Sequence, residues 1–296
     1  MRAIETVGFI GTGIMGAPMA GHLIEAGYTL RVHNRTRAKA QPLLDAGAAW
    51  CDTPAEAARG ADAVFSIVGY PRDVEEVILG ADGALSAAEK GAILCDMTTS
   101  RPALAERIWR EARARGVGAL DAPVSGGDTG ARKATLAIMV GGDEADFQRL
   151  RPLLETMGRT VRRIGPAGAG QHAKMVNQIL IAGTMMGMAE AFTYGRAAGL
   201  DLRTVLDVVG TGAAGSSALA NLGPRVLAGD FEPGFIMDHF IKDMQIALQD
   251  AGARQLDLPA LRLAADLYRR AAESDLGRKG TQALCKSVAD HNRVPL

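Results

Sequence analysis

Cysteine is scarce in this chain and badly placed for a scaffold: Cys51, Cys95 and Cys285 are odd in number, far apart and without a second Cys or a His at ligand spacing. Neither a disulfide framework nor a zinc site is suggested, and all three read as buried thiols. The five histidines form no H-x-x-x-H pair, so no metal is expected. Net charge is missing as well. Lys plus Arg and Asp plus Glu stand at 33 each, which removes any global electrostatic argument for nucleic acid or an anionic membrane surface and leaves a small molecule as the expected partner. Aromatics make up only 4% of the chain against 36 glycines, a balance that suits close packing of helices and sheets better than a stacking platform for bases. The longest apolar-leaning stretch, Ile179 to Met188, is too short for a membrane span and is broken by glycines. Met1 to Ile10 runs straight into an apolar strand without the basic region and long apolar run of a signal peptide, so a cytoplasmic address follows by default.

What is present is order. The length of 296 residues is about twice the usual domain size. From Thr6 to about Ile164, short apolar runs alternate with helical stretches, the pattern of a mostly parallel sheet covered by helices on both faces. Strands are expected near Val7–Ile10, Leu30–His33, Ala63–Val68, Ala92–Cys95, Ala119–Leu120, Leu136–Val140 and Val161–Ile164. Helices are expected from about Ile14, Arg37, Pro54, Asp73, Pro102 and Glu144. Past Gly165-Pro166-Ala167-Gly168 the strand signal stops and nearly everything reads as helix, beginning with a long apolar one over Gln171–Ala198. The expected division is residues 1–165, an α/β dinucleotide-binding domain of the doubly wound (Rossmann) class, and 166–296, an all-helical substrate and dimerisation domain.

Directly after the first strand stands Gly11-Thr12-Gly13-Ile14-Met15-Gly16, a G-x-G-x-x-G opening a helix. Gly11 permits the tight turn, Gly13 lets the backbone approach a pyrophosphate, and Gly16 lets helix press on strand while the helix N-terminus faces the anion. Glycines in a turn are often only structural, but the strand before, the helix after and a second strand ending about 20 residues on favour a dinucleotide. That second strand ends in His33-Asn34-Arg35-Thr36-Arg37 and carries no carboxylate for a ribose 2′-hydroxyl. Arg35 is suited to a 2′-phosphate, with Asn34, Thr36 or Arg37 assisting, so NADP is expected over NAD; if these are merely a solvated helix start, both cofactors would serve.

Two further clusters carry chemistry. In Asp121-Ala122-Pro123-Val124-Ser125-Gly126-Gly127, at the end of a strand, the Ser125 hydroxyl and the unhindered Gly126 and Gly127 amides suit a small carboxylate, although such clusters also mark ordinary turns. In Gly168-Ala169-Gly170-Gln171-His172-Ala173-Lys174-Met175-Val176-Asn177, Lys174 and Asn177 share a helix face, and a lysine among apolar neighbours is costly to bury unless used.

Together with the Lys242-Asp243 pair after Pro233-Gly234-Phe235, these ordered motifs resemble the β-hydroxyacid dehydrogenase family, which includes 3-hydroxyisobutyrate dehydrogenase and the tartronate semialdehyde, glyoxylate and succinic semialdehyde reductases. The resemblance spans essentially the whole chain. It implies that Lys174 is the general acid or base, that Asn177 orients Lys174 and substrate, and that Ser125, Gly126 and Gly127 hold the substrate carboxylate. Lys242 is implied to close the site near nicotinamide and substrate, with Asp243 fixing Lys242 or a helix end. Thr99, or Thr98 if the alignment slips by one, is implied beside the nicotinamide ribose. The resemblance further implies a homodimer or homotetramer and leans toward the tartronate semialdehyde and glyoxylate reductase branch. Three rivals remain: imine reductases, which usually carry Asp or Tyr at the lysine position; 6-phosphogluconate dehydrogenases, whose helical half is longer; and a catalytically silent NADP-binding sensor, which need not keep Lys174, Asn177 and Lys242 together.

Overall fold

The structure, a computed structural model, describes residues 3–296. The chain separates into two compact units, one ending at Lys174 and the other running from Met175 to Leu296.

In the first unit nine strands among the described residues form one sheet: β1 (Thr6–Ile10), β2 (Thr29–His33), β3 (Ala49–Trp50), β4 (Ala63–Ser66), β5 (Ile93–Asp96), β6 (Gly118–Asp121), β7 (Val124–Ser125), β8 (Leu136–Gly142) and β9 (Gly158–Gly165). Their order is β3-β2-β1-β4-β5-β6-β8-β7, with β9 also on β8. Every pair from β3 to β6 is parallel; β8 runs antiparallel to β6 and β7 and parallel to β9. The helices are α1 (Gly16–Glu25), α2 (Gln41–Asp45), α3 (Pro54–Ala58), α4 (Pro71–Leu79), α5 (Ala84–Ala87), α6 (Pro102–Ala114), α7 (Gly127–Arg132) and α8 (Glu144–Met157).

The central strands are apolar nearly throughout because both faces are covered. Side-chain alternation sends Val7, Phe9, Phe65 and Cys95 into one core layer and Ile10, Val64 and Leu94 into the other. Phe9 stacks on Phe65 with ring centroids 6.1 Å apart. The strand order reverses between β1 and β4, so the crevice for a ligand lies beyond the carboxyl ends of these strands, where Ile10, Ser66, Asp96 and Asp121 stand.

The 29-residue α9 (Ala169–Ala197) starts in the first unit and continues into the second, which adds α10 (Leu202–Val209), α11 (Ser217–Leu227), α12 (Met237–Ala253), α13 (Pro259–Ala271) and α14 (Ala283–His291). Side-chain caps set two starts: Asp201 accepts from the Arg203 and Thr204 amides, and Ser216 accepts from that of Leu219. The core is Met-rich, with Met175, Met185, Met188 and Met244 all buried. At its centre Tyr268 packs edge-on against Phe240 at 5.1 Å and donates its hydroxyl to the Thr281 carbonyl at 3.0 Å. No helix among the described residues is long and apolar enough to cross a membrane.

The chain is thus a mostly parallel α/β unit followed by an all-helical one, as the patterning predicts. All seven expected strands are present, and all three cysteines are buried thiols. The two-residue strands β3 and β7 and the short helices α5 and α7 go unannounced, because four residues or fewer, or a glycine-rich turn, show no periodicity. The helix expected from Arg37 begins as a 3-10 turn over Arg37–Ala40, and the one expected from Asp73 begins at Pro71.

Candidate active site

The glycine-rich turn is built as its spacing requires. Gly11 has φ 97°, and a Cβ there would strike the Ile67 carbonyl; a Cβ on Gly16 would strike the Gly11 carbonyl. Gly13 differs, since a Cβ there would meet nothing within 4 Å. The Gly11 amide donates to the His33 carbonyl at 2.9 Å and the Thr12 amide to Asn34 Oδ1 at 3.0 Å, while Asn34 Nδ2 donates to the Thr36 carbonyl at 2.9 Å. Asn34 therefore fastens the turn to the end of β2. Helix α1 starts without a side-chain cap and without an acidic residue in its first turn. Open space at Gly13, an uncapped N-terminus and the buried, unpartnered Thr12 hydroxyl fit a pyrophosphate. Ile14 is exposed and Met15 half-buried on the same turn. Arg35 and Thr36 are exposed beyond β2, and the Arg37 guanidinium lies over the Trp50 ring at 5.2 Å.

After β5 the chain is held from both sides. Asp96 is buried, accepting at Oδ1 from Ser66 Oγ at 2.8 Å and from the Thr98 amide at 3.2 Å. Burial raises its carboxyl to about 6, against the pull of those hydrogen bonds. The buried Thr98 hydroxyl accepts from the Val68 amide at 2.9 Å, whereas Thr99 is half-buried. Of the two candidate threonines, Thr98 braces neighbouring strand ends and Thr99 is the more exposed. The fully buried Gln171 side chain takes the Ser100 amide at 2.9 Å on its oxygen and gives its Nε2 to the Thr98 carbonyl at 2.8 Å.

Next to Asp96 in register stands Asp121, on β6. Its two oxygens accept from the Gly168 and Gln171 amides, each at 2.8 Å, so it caps the start of α9. Burial raises this carboxyl too, opposed by those backbone donors. One helical turn beyond Gln171, Lys174 is 7% exposed, and its Nζ donates to the Val124 carbonyl at 2.8 Å. That carbonyl immediately precedes Ser125, which β7 pairs with Ala137. Gly126 and Gly127 follow at φ 133° and 61°, conformations a side chain would resist, and a Cβ on Gly127 would meet nothing within 4 Å. The fold therefore brings the sequence-predicted lysine and the Ser-Gly-Gly turn to one place.

In the second unit Asn177, one turn further along α9, donates to Gln178 Oε1 at 2.7 Å. Gln178 Nε2 donates to Asp243 Oδ2 at 2.6 Å, and Lys242 Nζ lies 3.1 Å from Asp243 Oδ1. Asn177 and Lys242 are thus ends of one polar chain whose middle, Gln178 and Asp243, is buried. Burial, then the nearby Lys242 ammonium, lowers the His239 pKa below its ordinary value.

Two family patterns match almost the full length: the NAD binding domain of 6-phosphogluconate dehydrogenase over residues 6–165, and the NAD-binding region of NADP-dependent 3-hydroxyisobutyrate dehydrogenase over residues 168–288. The chain belongs to the 3-hydroxyisobutyrate dehydrogenase-like β-hydroxyacid dehydrogenase family. Among relatives in this family, a probable 3-hydroxyisobutyrate dehydrogenase-like 1, mitochondrial, of Arabidopsis thaliana is 48% identical over 97% of this chain and 86% of its own. The 2-hydroxy-3-oxopropionate reductase of Escherichia coli (strain K12) is 38% identical over 95% of this chain and 96% of its own. The solved structure of Mycobacterium tuberculosis 3-hydroxyisobutyrate dehydrogenase with L-serine has a TM-score of 0.88 at 32% identity, covering 96% of this chain and 99% of that one. As a member of this family the chain is an oxidoreductase that acts on CH–OH donors with NAD(P).

Sequence reasoning overlooked Gln171, Gln178 and the cap made by Asp121. Amides and capping carboxylates carry no motif of their own. The available signal was positional: two glutamines that flank Lys174 along one face of the helix.

Proposed function

We propose that this enzyme transfers a hydride between NADP(H) and a small 3-hydroxy acid or the corresponding semialdehyde acid, of the 2-hydroxy-3-oxopropionate, glyoxylate or 3-hydroxyisobutyrate type. The observation that carries the reading is Lys174, buried, with its ammonium 2.8 Å from the carbonyl that leads into Ser125-Gly126-Gly127. The reductase name of the E. coli relative and the L-serine held by the M. tuberculosis structure, itself a 3-hydroxy acid, support the substrate class.

Bound nicotinamide supplies or takes up the hydride at the substrate carbon. What remains for the chain is the oxygen. Negative charge grows there as a carbonyl is reduced, and Lys174 neutralises it by giving up a proton; in the oxidative direction Lys174 takes that proton from the hydroxyl. Asn177 orients Lys174 and substrate. Ser125 and the Gly126 and Gly127 amides hold the carboxylate, which fixes the carbon next to the lysine, and Lys242 supplies a second cation to cofactor and substrate. Gly11 to Gly16 take the pyrophosphate, Thr99 the nicotinamide ribose, and Asn34, Arg35 and Thr36 the adenosine end. The absence of a carboxylate at the close of β2 supports NADP over NAD. We assign the working form as a homodimer or homotetramer and the compartment as cytoplasmic.

A steady-state assay following NADPH and NADH against glyoxylate, tartronate semialdehyde, succinic semialdehyde, methylmalonate semialdehyde and their hydroxy acids tests this reading. NADPH oxidation with one aldehyde acid, lost by about 100-fold to 10,000-fold in Lys174→Ala, is the expected result. Unchanged turnover in Lys174→Ala sinks the assignment; tight NADPH binding without turnover on any member of the panel sinks the substrate class.

A further inference from the structure

We infer that Gln171 is a positioning residue that holds the proton donor and the nicotinamide-side loop at a fixed separation. The inference rests on the roles given above to Lys174 and Thr99.

Gln171 is fully buried, and both ends of its amide meet main chain: Oε1 accepts from Ser100 N at 2.9 Å and Nε2 donates to Thr98 O at 2.8 Å. The two bonds straddle Thr99, leaving it the residue clamped between them. The backbone amide of Gln171 is itself anchored, donating to Asp121 Oδ2 at 2.8 Å. Lys174 stands three residues on, one helical turn away along the same face. A single residue, through its side chain and its backbone amide, thus couples the loop after β5, the cap from β6 and the turn of α9 that presents the ammonium. The glutamine amide offers a donor and an acceptor side by side at this length and carries no charge at any pH. Losing the clamp lets the loop drift relative to Lys174, and displacement of about 1 Å between reacting groups can cost about 100-fold in rate.

Two variants test this, with kcat, KM and NADPH affinity measured alongside Lys174→Ala. Gln171→Leu, similar in size but unable to bond, is expected to lower kcat by about 10-fold to 100-fold with NADPH affinity changed by less than about 3-fold, and to raise the primary isotope effect from 4-deuterated NADPH. Gln171→Glu adds a readout that a merely structural role would not move. Its carboxyl, when protonated, accepts from Ser100 N and donates to Thr98 O as the amide does; when ionised it can only accept. Burial and the neighbouring carboxylates of Asp121 and Asp96 favour the neutral form, while Lys174 opposes this. The ratio of variant to wild-type kcat is therefore expected to rise as pH falls. Full kcat in a folded Gln171→Leu enzyme overturns the inference, as does a Gln171→Glu enzyme whose deficit is the same at every pH. An active Lys174→Ala enzyme instead removes the reading beneath it, so the two failures are distinguishable; if Gln171→Leu does not fold, the pH ratio of Gln171→Glu decides alone.

Discussion

Around the candidate site residues of α9, the two units hold their polar groups by different means. In the sheet unit, buried side chains at the strand ends are gripped by main chain: Asp121 by the Gly168 and Gln171 amides, Gln171 by Thr98 and Ser100, and Lys174 by the Val124 carbonyl. In the helical unit Asn177, Gln178, Asp243 and Lys242 grip one another. The physical cause is that strand ends leave peptide groups unpaired, whereas a helix interior has already used its own. Main-chain partners persist whatever the neighbouring residue becomes. A chain of side chains does not have that tolerance, and each member depends on the next.

The largest expected effect belongs to the first unit. Lys174→Ala should cost about 100-fold to 10,000-fold in turnover, read by the NADPH assay. In the second unit the comparison predicts a stability cost instead: Asp243→Ala takes the acceptor from the buried Gln178 amide and the anion from beside the half-buried Lys242, and a loss of about 1–3 kcal/mol in denaturant unfolding is expected. Combining it with Gln178→Leu should miss additivity by about 0.5–3 kcal/mol. Additive losses there would erase the contrast between the units.

Asp96 sharpens it from the other side. Its folded carboxyl is raised to about 6 from an ordinary 3.8, so the native state keeps a proton that the unfolded chain has released. Its contribution is present in full below about pH 4 and is lost as pH rises through about 6, a fall of about 3 kcal/mol. Asp96→Asn should lack this fall, and the difference between the two unfolding curves from pH 4 to 7 measures it. A smaller effect is expected from Tyr268→Phe, which removes one of two donors to the Thr281 carbonyl and leaves it the Leu284 amide at 3.3 Å, at a cost of about 0.5–1.5 kcal/mol.

How much of this the sequence displays follows from the same contrast. Gly11 to Gly16 are legible because a tight turn against a strand admits few residues, and the long strands because alternation and burial repeat along them. Ser125 and Lys174 are legible as chemistry, although nothing in the spacing between them says that β7 would carry the Val124 carbonyl to the lysine. β7 itself is two residues long and pairs only through β8. The clamp by Gln171 and the link from Gln178 to Asp243 join positions 73 and 65 residues apart, contacts that only the finished fold creates.

Gly13 carries a consequence of another kind. Gly11 and Gly16 are demanded by neighbouring main chain, but a methyl group at 13 would meet nothing of this protein. Gly13→Ala should therefore leave the empty fold intact, or firmer by about 0.4–1 kcal/mol through a less disordered unfolded chain, while obstructing the dinucleotide. Such a residue is maintained by the molecule that visits it. In a lineage that abandoned the cofactor, Gly13 would be the first of the three to drift, long before the architecture around it showed any sign of change.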